Sequence, residues 1–260
     1  MPYETLIVER EDGFAVVTLN RPPANAISAQ LVLDLEAAVA ELAADEAVRA
    51  VIITGAGDRI FCGGADLGSA FSGGAGADLE AFLRRGNALL RRIETLPKPV
   101  IAAIQGHATG GGCEIAMACH LRVRKETARI GQTESNLGII PGYGGTQRLP
   151  RLIGRTKALE YLILGTQIPA PEALGLGLVN RLAKEGETLG DAKALARAIA
   201  TRAPIATRLI IECVDRGLDA TIEDGTDVEV QAFQEVLRTE DAAEGIQAFF
   251  TKRPPEFKGR

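Results

Sequence analysis

The chain has 260 residues, 46% of them apolar, which is enough for a buried core in one large domain or a domain and a half. Its 29 basic and 34 acidic residues give a net charge of −5, which argues against non-specific attraction to nucleic acid or to an anionic membrane surface. The four cysteines form no CxxC pair, the N-terminus lacks the apolar stretch of a secretory signal, and no uncharged run approaches the roughly 20 residues of a spanning helix. We therefore expect a cytoplasmic protein with reduced thiols and with neither nucleic acid nor a membrane as its partner.

The first hundred residues predict the order β, β, α, β, α, β. An acidic-Gly turn at Glu11-Asp12-Gly13 separates two apolar runs and indicates a hairpin. A continuous apolar run such as 48–54 is typical of a strand that is buried on both faces. The predicted elements are strands at 5–9 and 14–20, a helix capped by Ser28, a strand at 48–54, a helix from Asp78 to the prolines at 97 and 99, and a strand at 99–104.

The second half begins with the same alternation and ends in helices. The predicted elements are a short helix to Cys119, strands at 120–124 and 128–130, helices at 155–164 and 170–175, a strand at 178–182, and helices near 190–201, 204–216, 220–237 and 240–251. The change in pattern predicts a core at 1–185 and a helical C-terminal region at 186–260. Alternating strands and helices indicate an α/β protein, and periodicity does not choose between a doubly wound sheet and a spiral.

Three glycine-rich segments interrupt these elements, at 55–76, at 110–112 and at 131–148. Three consecutive glycines at the start of a presumed helix leave amide N–H groups unshielded, which suits an oxygen that gains negative charge. The glycines could equally serve only a tight strand-to-helix turn. A P-loop is excluded because no GKS or GKT follows, and the stretch around His107 does not have the GxGxxG spacing.

Two glutamates enter these segments. Glu114 lies between Cys113 and Ile115 in an apolar helix, where loss of hydration should raise its pKa and suit it to proton transfer near neutral pH. Glu134 enters the last of these segments, 131–148. Each could instead have a structural role, Glu114 by complementing the helix dipole and Glu134 by capping. Together they could form a general acid and a general base.

Other chemistry is less well supported by the sequence. His107 and His120 are the only histidines and have no ligand-like spacing, so no metal site is predicted. Cys113 is predicted to be a packed thiol because no activation of it by a histidine is evident from the sequence. No serine lies in a GxSxG elbow, which disfavours a hydrolase of that type.

Three ordered blocks of sequence carry a resemblance to a known family. They are FCGGADL at 61–67, PVIAAIQGHATGGGCEIAMACHLRV at 99–123, and GQTESNLGIIPGYGGTQRLPRLIG at 131–154. With these blocks the chain resembles the enoyl-CoA hydratase/isomerase, or crotonase, superfamily over nearly its full length. The resemblance implies a crotonase-type spiral of repeated ββα turns with a C-terminal helical trimerisation region. It also implies a homotrimer or a homohexamer built as a dimer of trimers.

The resemblance also implies roles for four residues. The backbone N–H groups of Ala65 and Gly111 would form an oxyanion hole for the thioester carbonyl of an acyl-CoA. Glu114 would orient and activate the water that attacks C3, and Glu134 would mediate protonation at C2. The implied enzyme is a short- to medium-chain enoyl-CoA hydratase that needs no cofactor, since coenzyme A is part of the substrate.

Substrate contacts are likewise implied by the resemblance, along the turn at 21–26, the strand end at 62–66 and the C-terminus. The implied contacts are Arg21, Ala24, Ala26, Cys62, Gly63, Gly64, Asp66, Leu67, Gly110, Pro141 and Gly142, with Phe249 and Lys252 reaching a neighbouring subunit's acyl pocket. Two positions depart from the family pattern. Gly68 replaces a lysine that many hydratases carry, and His120, expected to be structural, replaces a common aspartate.

Three functions are compatible with this pattern. The first is enoyl-CoA hydration, which the presence of both glutamates favours. The second is a Δ3,Δ2-enoyl-CoA isomerase or another crotonase-type lyase, which would keep the oxyanion hole and often use one acid. The third, a non-catalytic CoA- or RNA-binding scaffold, is disfavoured by the acidic net charge and the intact carboxylate pair.

Overall fold

The chain forms an α/β structure with two sheets, as seen in a computed structural model that describes residues 3–66 and 76–260, the side chains of 76–78 excepted. The larger sheet has the strand order β1-β2-β3-β5-β7-β9, and the smaller has the order β4-β6-β8. The strands are β1 Leu6–Glu11, β2 Phe14–Leu19, β3 Ala50–Gly55, β4 Ile60–Cys62, β5 Val100–Ile104, β6 His107–Thr109, β7 Leu121–Lys125, β8 Ile130–Gly131 and β9 Arg181–Ala183.

Successive strand pairs divide between the two sheets. Strands β3, β5 and β7 pair in parallel in the larger sheet, and the strand that follows each of them, β4, β6 or β8, pairs in parallel in the smaller one. A helical segment then leads to the next pair. This repeated ββα turn confirms the predicted spiral and excludes a doubly wound sheet, in which all the strands would share one sheet.

Helices cover both faces of the larger sheet. They are α1 Ala29–Ala44, α2 Gly76–Glu94, α3 Gly111–Ala118, α4 Gly145–Ile153, α5 Arg155–Leu164, α6 Ala170–Gly175, α7 Thr188–Ala200, α8 Pro204–Leu218, α9 Ile222–Val236 and α10 Glu240–Thr251. As predicted, Ser28 caps α1, its Oγ accepting a hydrogen bond of 3.2 Å from the N–H of Leu31.

The core lies on both sides of the central strands because their side chains alternate between the faces. Val51 and Ile53 of β3 enter a large apolar cluster with α1, α2 and α3, whereas Ile52 faces a smaller cluster with Ala192 and Ala196 of α7. The predicted boundary at residue 185 stays a prediction. Helix α7, which follows that boundary, packs on the sheet and completes its second face.

The structure also contains elements that the sequence did not predict. Strands β4 and β6 and helix α4 were missed, and the predicted strand at 178–182 begins later, at Arg181. The strand that leads into the glycine cluster is β6 and not the predicted 99–104 strand, which belongs to the other sheet. Among the described residues, no helix is long and apolar enough to cross a membrane.

Candidate active site

Two backbone amides converge where the first two turns of the spiral meet. The Ile27 N–H donates to the Gly64 carbonyl at 2.8 Å, and the Asp66 N–H donates to the Ile27 carbonyl at 2.9 Å. In such a parallel bridge the residue between the two partners, Ala65, directs its N–H away from Ile27. A Cβ atom built on Gly111 would lie 3.4 Å from the Ala65 nitrogen, so the Ala65 and Gly111 amides are neighbours.

The three glycines beside them allow a close approach of backbones. Gly111 is the first residue of α3, where a helix N–H has no partner within the helix. Gly110 adopts φ +53°, and a Cβ on Gly112 would lie 2.0 Å from the Cys62 carbonyl oxygen. The glycines therefore serve the tight turn and also leave a helix N-terminus open beside Ala65.

Glu114 lies in the first turn of α3 and is 1% exposed. Its Oε1 accepts hydrogen bonds from the backbone N–H groups of Tyr143 at 2.8 Å and Gly145 at 2.7 Å. Burial and the nearby Glu134 raise the pKa of Glu114 to about 7, although the two amides and Arg148 act in the opposite direction. The raised pKa that the apolar neighbours predicted is therefore present.

Glu134 approaches the same helix end from the third turn of the spiral. It begins a 3₁₀ helix at Glu134–Leu137, and a Cβ on Gly110 would lie 2.9 Å from its Oε1. Burial raises the pKa of Glu134 as well. The buried Gln132 amide, oriented with its nitrogen toward Glu134, donates to the two carboxylate oxygens at 3.0 and 3.1 Å. Sequence reasoning missed Gln132, although its place two residues before Glu134 was a usable signal.

The whole chain is similar to known proteins. A family model described as enoyl-CoA hydratase/isomerase matches residues 9–260. The chain belongs to this family.

Relatives from the family match nearly the whole chain. A probable enoyl-CoA hydratase of Bacillus subtilis is 46% identical over 246 residues, which are 94% of this chain and 95% of the relative. A short-chain-enoyl-CoA hydratase of Clostridium acetobutylicum is 42% identical over an alignment of 262 residues, which covers 100% of this chain and 100% of the relative. The crystal structure of an enoyl-CoA hydratase from Bacillus anthracis superposes with a TM-score of 0.95 at 39% identity, covering 99% of this chain and 100% of that one. These matches confirm the predicted family and its crotonase-type fold.

The family-implied contacts near the N-terminus lie together on one side of the site. Arg21 donates to Asp66 at 2.6 Å and to the Ala26 carbonyl at 3.3 Å. The Gly63 N–H donates to the Ala24 carbonyl at 2.9 Å. The turn at 21–26 and the strand end at 62–66 therefore form one surface next to Ala65. Leu67 and Gly68 lie outside the described residues.

The other implied contacts are divided between two places. Pro141 and Gly142 precede the amides that hold Glu114, and Asn87 of α2 donates to the Gly142 carbonyl at 2.8 Å. Phe249 and Lys252 lie at the end of α10, where Phe249 is 77% exposed. Among the described residues, no hydrogen bond, ion pair or ring contact joins Phe249 or Lys252 to either glutamate.

His120 and the buried thiols have structural surroundings. His120 Nδ1 accepts from the Val100 N–H at 2.9 Å, so its Nε2 carries the proton and donates to the Glu94 carbonyl at 2.8 Å. Burial raises the pKa of the Cys113 thiol, as expected for a packed thiol. In the described parts of the chain, no group of three His, Cys, Asp or Glu side chains could hold a metal ion.

Proposed function

We propose that the protein is an enoyl-CoA hydratase that adds water reversibly and in syn fashion to a trans-2-enoyl-CoA, giving a 3-hydroxyacyl-CoA. One observation carries this proposal. Two carboxyl groups with raised pKa, the buried Glu114 and the half-buried Glu134, lie at the N-terminus of α3 beside the paired Ala65 and Gly111 amides. The names of the hydratase relatives support the same reaction.

The amide pair would receive the thioester oxygen. As water adds to C3, negative charge develops on that oxygen, and the N–H groups of Ala65 and Gly111 stabilise it as an enolate. The positive end of the α3 dipole acts in the same direction. Loss of one such donor typically raises a barrier by about 3 kcal/mol.

The glutamates would divide the proton transfers. Glu114 has a pKa of about 7, so near neutral pH it is ionised in a large fraction of molecules and can accept a proton from the attacking water. Glu134 in its protonated form supplies the proton at C2. Each hydration leaves Glu114 protonated and Glu134 ionised, so one proton must pass from Glu114 to Glu134, through solvent or product exchange, before the next hydration. Dehydration uses the same two groups in the opposite roles.

The substrate and the assembly follow from the same proposal. The CoA part would lie along Arg21, the turn at 21–26 and the strand end at 62–66, and the enzyme would use no cofactor besides the coenzyme A of its substrate. We further propose a cytoplasmic homotrimer or homohexamer. Large exposed apolar side chains on α8, α9 and α10, including Leu218, Ile222 and Phe250, support such an assembly.

The direct test is the loss of the conjugated-thioester absorbance when the purified protein meets crotonyl-CoA. Hydration with multiple turnovers is expected. If crotonyl-CoA and longer enoyl-CoAs are not hydrated while 3-enoyl-CoAs are isomerised rapidly, the Δ3,Δ2-isomerase replaces this proposal. If thioesters bind and neither reaction occurs, a non-catalytic scaffold replaces it.

A further inference from the structure

Arg148 lies on the side of the 143–145 loop that is opposite to Glu114. Its Nη1 donates to the Tyr143 carbonyl at 2.6 Å. Its Nε and Nη2 form a two-point ion pair with the Glu94 carboxylate, in which Nη2 donates to Oε2 at 3.1 Å. The pair is largely buried, with the Arg148 and Glu94 side chains 13% and 20% exposed. A bidentate, partly desolvated pair of this kind holds a guanidinium group in one orientation.

The same loop supplies both amides that hold Glu114. Tyr143 is bound at both ends, because its N–H donates to Glu114 while its carbonyl accepts from Arg148. Gly144 adopts φ +89°, and a Cβ there would lie 2.2 Å from Arg148 Nη1, so the guanidinium group fills the space beside it. The Gly145 N–H then makes the second bond to Glu114.

We propose that Arg148, locked by Glu94, is a positioning residue for the hydration reaction, fixing the 143–145 loop so that its two amides orient the Glu114 carboxylate. The proposal rests on the proposed function and assigns Arg148 no contact with substrate. It makes the ion pair between α2 and α4 part of the catalytic geometry and not only of the fold.

Arg148 affects Glu114 through its positive charge as well as through the position of the 143–145 loop. The groups that face Glu114 are Glu134, which raises its pKa, and Arg148, which lowers it. The Tyr143 hydroxyl and the Cys113 thiol stay neutral near pH 7 because burial raises the pKa of each. Removal of the cation should therefore raise the pKa of Glu114. The acid limb of the pH–rate profile, where Glu114 becomes protonated, should then move to higher pH.

The test compares Arg148→Gln and Arg148→Lys with the wild-type protein on crotonyl-CoA. For Arg148→Gln we expect kcat to fall about 10- to 100-fold and the acid limb to rise by about half a pH unit or more. Arg148→Lys keeps the charge and loses the two-point geometry, so kcat should fall while the acid limb stays in place. Binding of butyryl-CoA, a saturated thioester that cannot be hydrated, should stay within about twofold of the wild-type Kd in both variants.

Arg151→Gln is the matched control. It removes the same charge from the same helix, but Arg151 is 60% exposed at its side chain and contacts Gln147 and Asp219 and not the loop. Wild-type kcat and pH profile are expected for it. The loop should stay folded in the Arg148 variants because Asn87 still binds Gly142 and the Tyr143 ring still packs on Gly86.

The outcomes separate this proposal from the function on which it rests. If the wild-type protein does not hydrate crotonyl-CoA, the proposed function fails. If it does, wild-type kcat with an unmoved acid limb in Arg148→Gln overturns the positioning role, and so does a parallel loss of butyryl-CoA binding. If Arg148→Gln does not fold, the positioning role is tested with Glu94→Gln, which removes the ion pair from its other side. A fall in kcat of about threefold or more with intact butyryl-CoA binding supports the proposal, and a wild-type kcat overturns it.

Discussion

At the scale of single residues, Glu114 shows how burial and hydrogen bonding compete. Burial favours the neutral acid, whereas the Tyr143 and Gly145 amides favour the carboxylate. The balance leaves a pKa of about 7, so a modest change in either influence would alter the fraction of Glu114 that can act as a base. The ionisation of Glu114 therefore depends on the loop that supplies these two amides.

The glutamate roles can be tested by isosteric changes. Glu114→Gln and Glu134→Gln remove the titrating oxygen and keep the shape, so we expect kcat to fall about 10²- to 10⁴-fold in each while butyryl-CoA binding survives. Rates come from crotonyl-CoA hydration and Kd values from calorimetry. Glu223→Gln, the same change at an exposed position of α9, should leave both unchanged. Near-normal turnover in either site variant would remove that glutamate from the mechanism.

His120 predicts a pH dependence of stability. Burial lowers its folded pKa below the unfolded value, and its Nδ1 must stay unprotonated to accept from Val100. Stability from the neutral ring is therefore fully present above the unfolded pKa, about 6.5, and is lost as pH falls through that value toward the folded pKa. Urea unfolding at fixed protein concentration should show the stability advantage of wild type over His120→Asn shrinking between about pH 7.5 and pH 5.5. An advantage that is constant with pH would contradict this account.

The individual residues were partly predictable from the sequence. Cys113 and Ile115 on either side of Glu114 were enough to predict its raised pKa. Its two donors lie 29 and 31 residues away along the chain, and no local pattern reports such a distant bond. The same reason hid Arg148, whose ion-pair partner Glu94 lies 54 residues earlier.

At the scale of elements, the backbones of α3 and β4 approach so closely at Gly112 that no side chain larger than hydrogen fits between them. A Cβ on Gly112 would lie 2.0 Å from the Cys62 carbonyl, and both atoms belong to regular elements that cannot shift independently. Gly112→Ala should therefore destabilise the protein by about 1–3 kcal/mol and also reduce hydration, since α3 carries Gly111 and Glu114. Thermal unfolding and crotonyl-CoA assays would measure the two effects.

Gly190 offers the matched control for that substitution. It lies inside α7, is exposed, and a Cβ there would meet nothing within 4 Å. Gly190→Ala should stabilise the protein by about 0.5–1 kcal/mol because alanine restricts the unfolded chain and favours a helix. Equal stability changes in the two variants would show that the contact between Gly112 and Cys62 is not what makes a glycine necessary.

The length and composition of an element influenced whether the sequence could predict it. Strands β3 and β5 were predicted because each is a continuous apolar run that is buried on both faces. Strands β4 and β6 have only three residues each, too few for any periodicity, and were missed. Strand β8 overlaps the predicted strand at 128–130, but the pairing of all three strands in a separate sheet is a long-range property. Helix α4 was missed because Pro150 and two leading glycines resemble a loop.

At the scale of the whole molecule, the spiral followed from the family resemblance and not from periodicity. The proposed neighbour-subunit contact belongs to this scale, because Phe249 is exposed in one chain and, within the part of the chain that the structure describes, no hydrogen bond, ion pair or ring contact joins it to the glutamates. We expect light scattering to give three or six times the 27.4 kDa chain mass. A monomer at micromolar concentration would contradict the proposed assembly.

The proposed contact of Phe249 with a neighbouring subunit's acyl pocket can also be tested by its effect on KM. Phe249→Ser should raise KM for crotonyl-CoA about tenfold, since a buried phenylalanine contributes about 1.5–3 kcal/mol, while the assembly mass stays unchanged. Ile7→Thr, at a half-exposed position on the edge strand β1, is the control and should leave KM unaltered. An unchanged KM in Phe249→Ser would place this side chain outside the acyl pocket.

The smaller sheet has a consequence for how the chemistry of this fold can vary. Ala65 follows the end of β4 by three residues, Gly111 follows β6 by two, and Glu134 follows β8 by three. Strands β4, β6 and β8 are adjacent and parallel, about 4.8 Å apart. Their separation therefore sets the spacing of the Ala65 amide, the Gly111 amide and the Glu134 carboxyl group. Each ββα repeat therefore contributes one residue of the site, and that residue can be substituted independently of the other two. A substitution at one of these positions could change the reaction while the other two positions stay in place. One residue inserted after β6 would instead move the Gly111 amide by about 3.3 Å and disrupt the site.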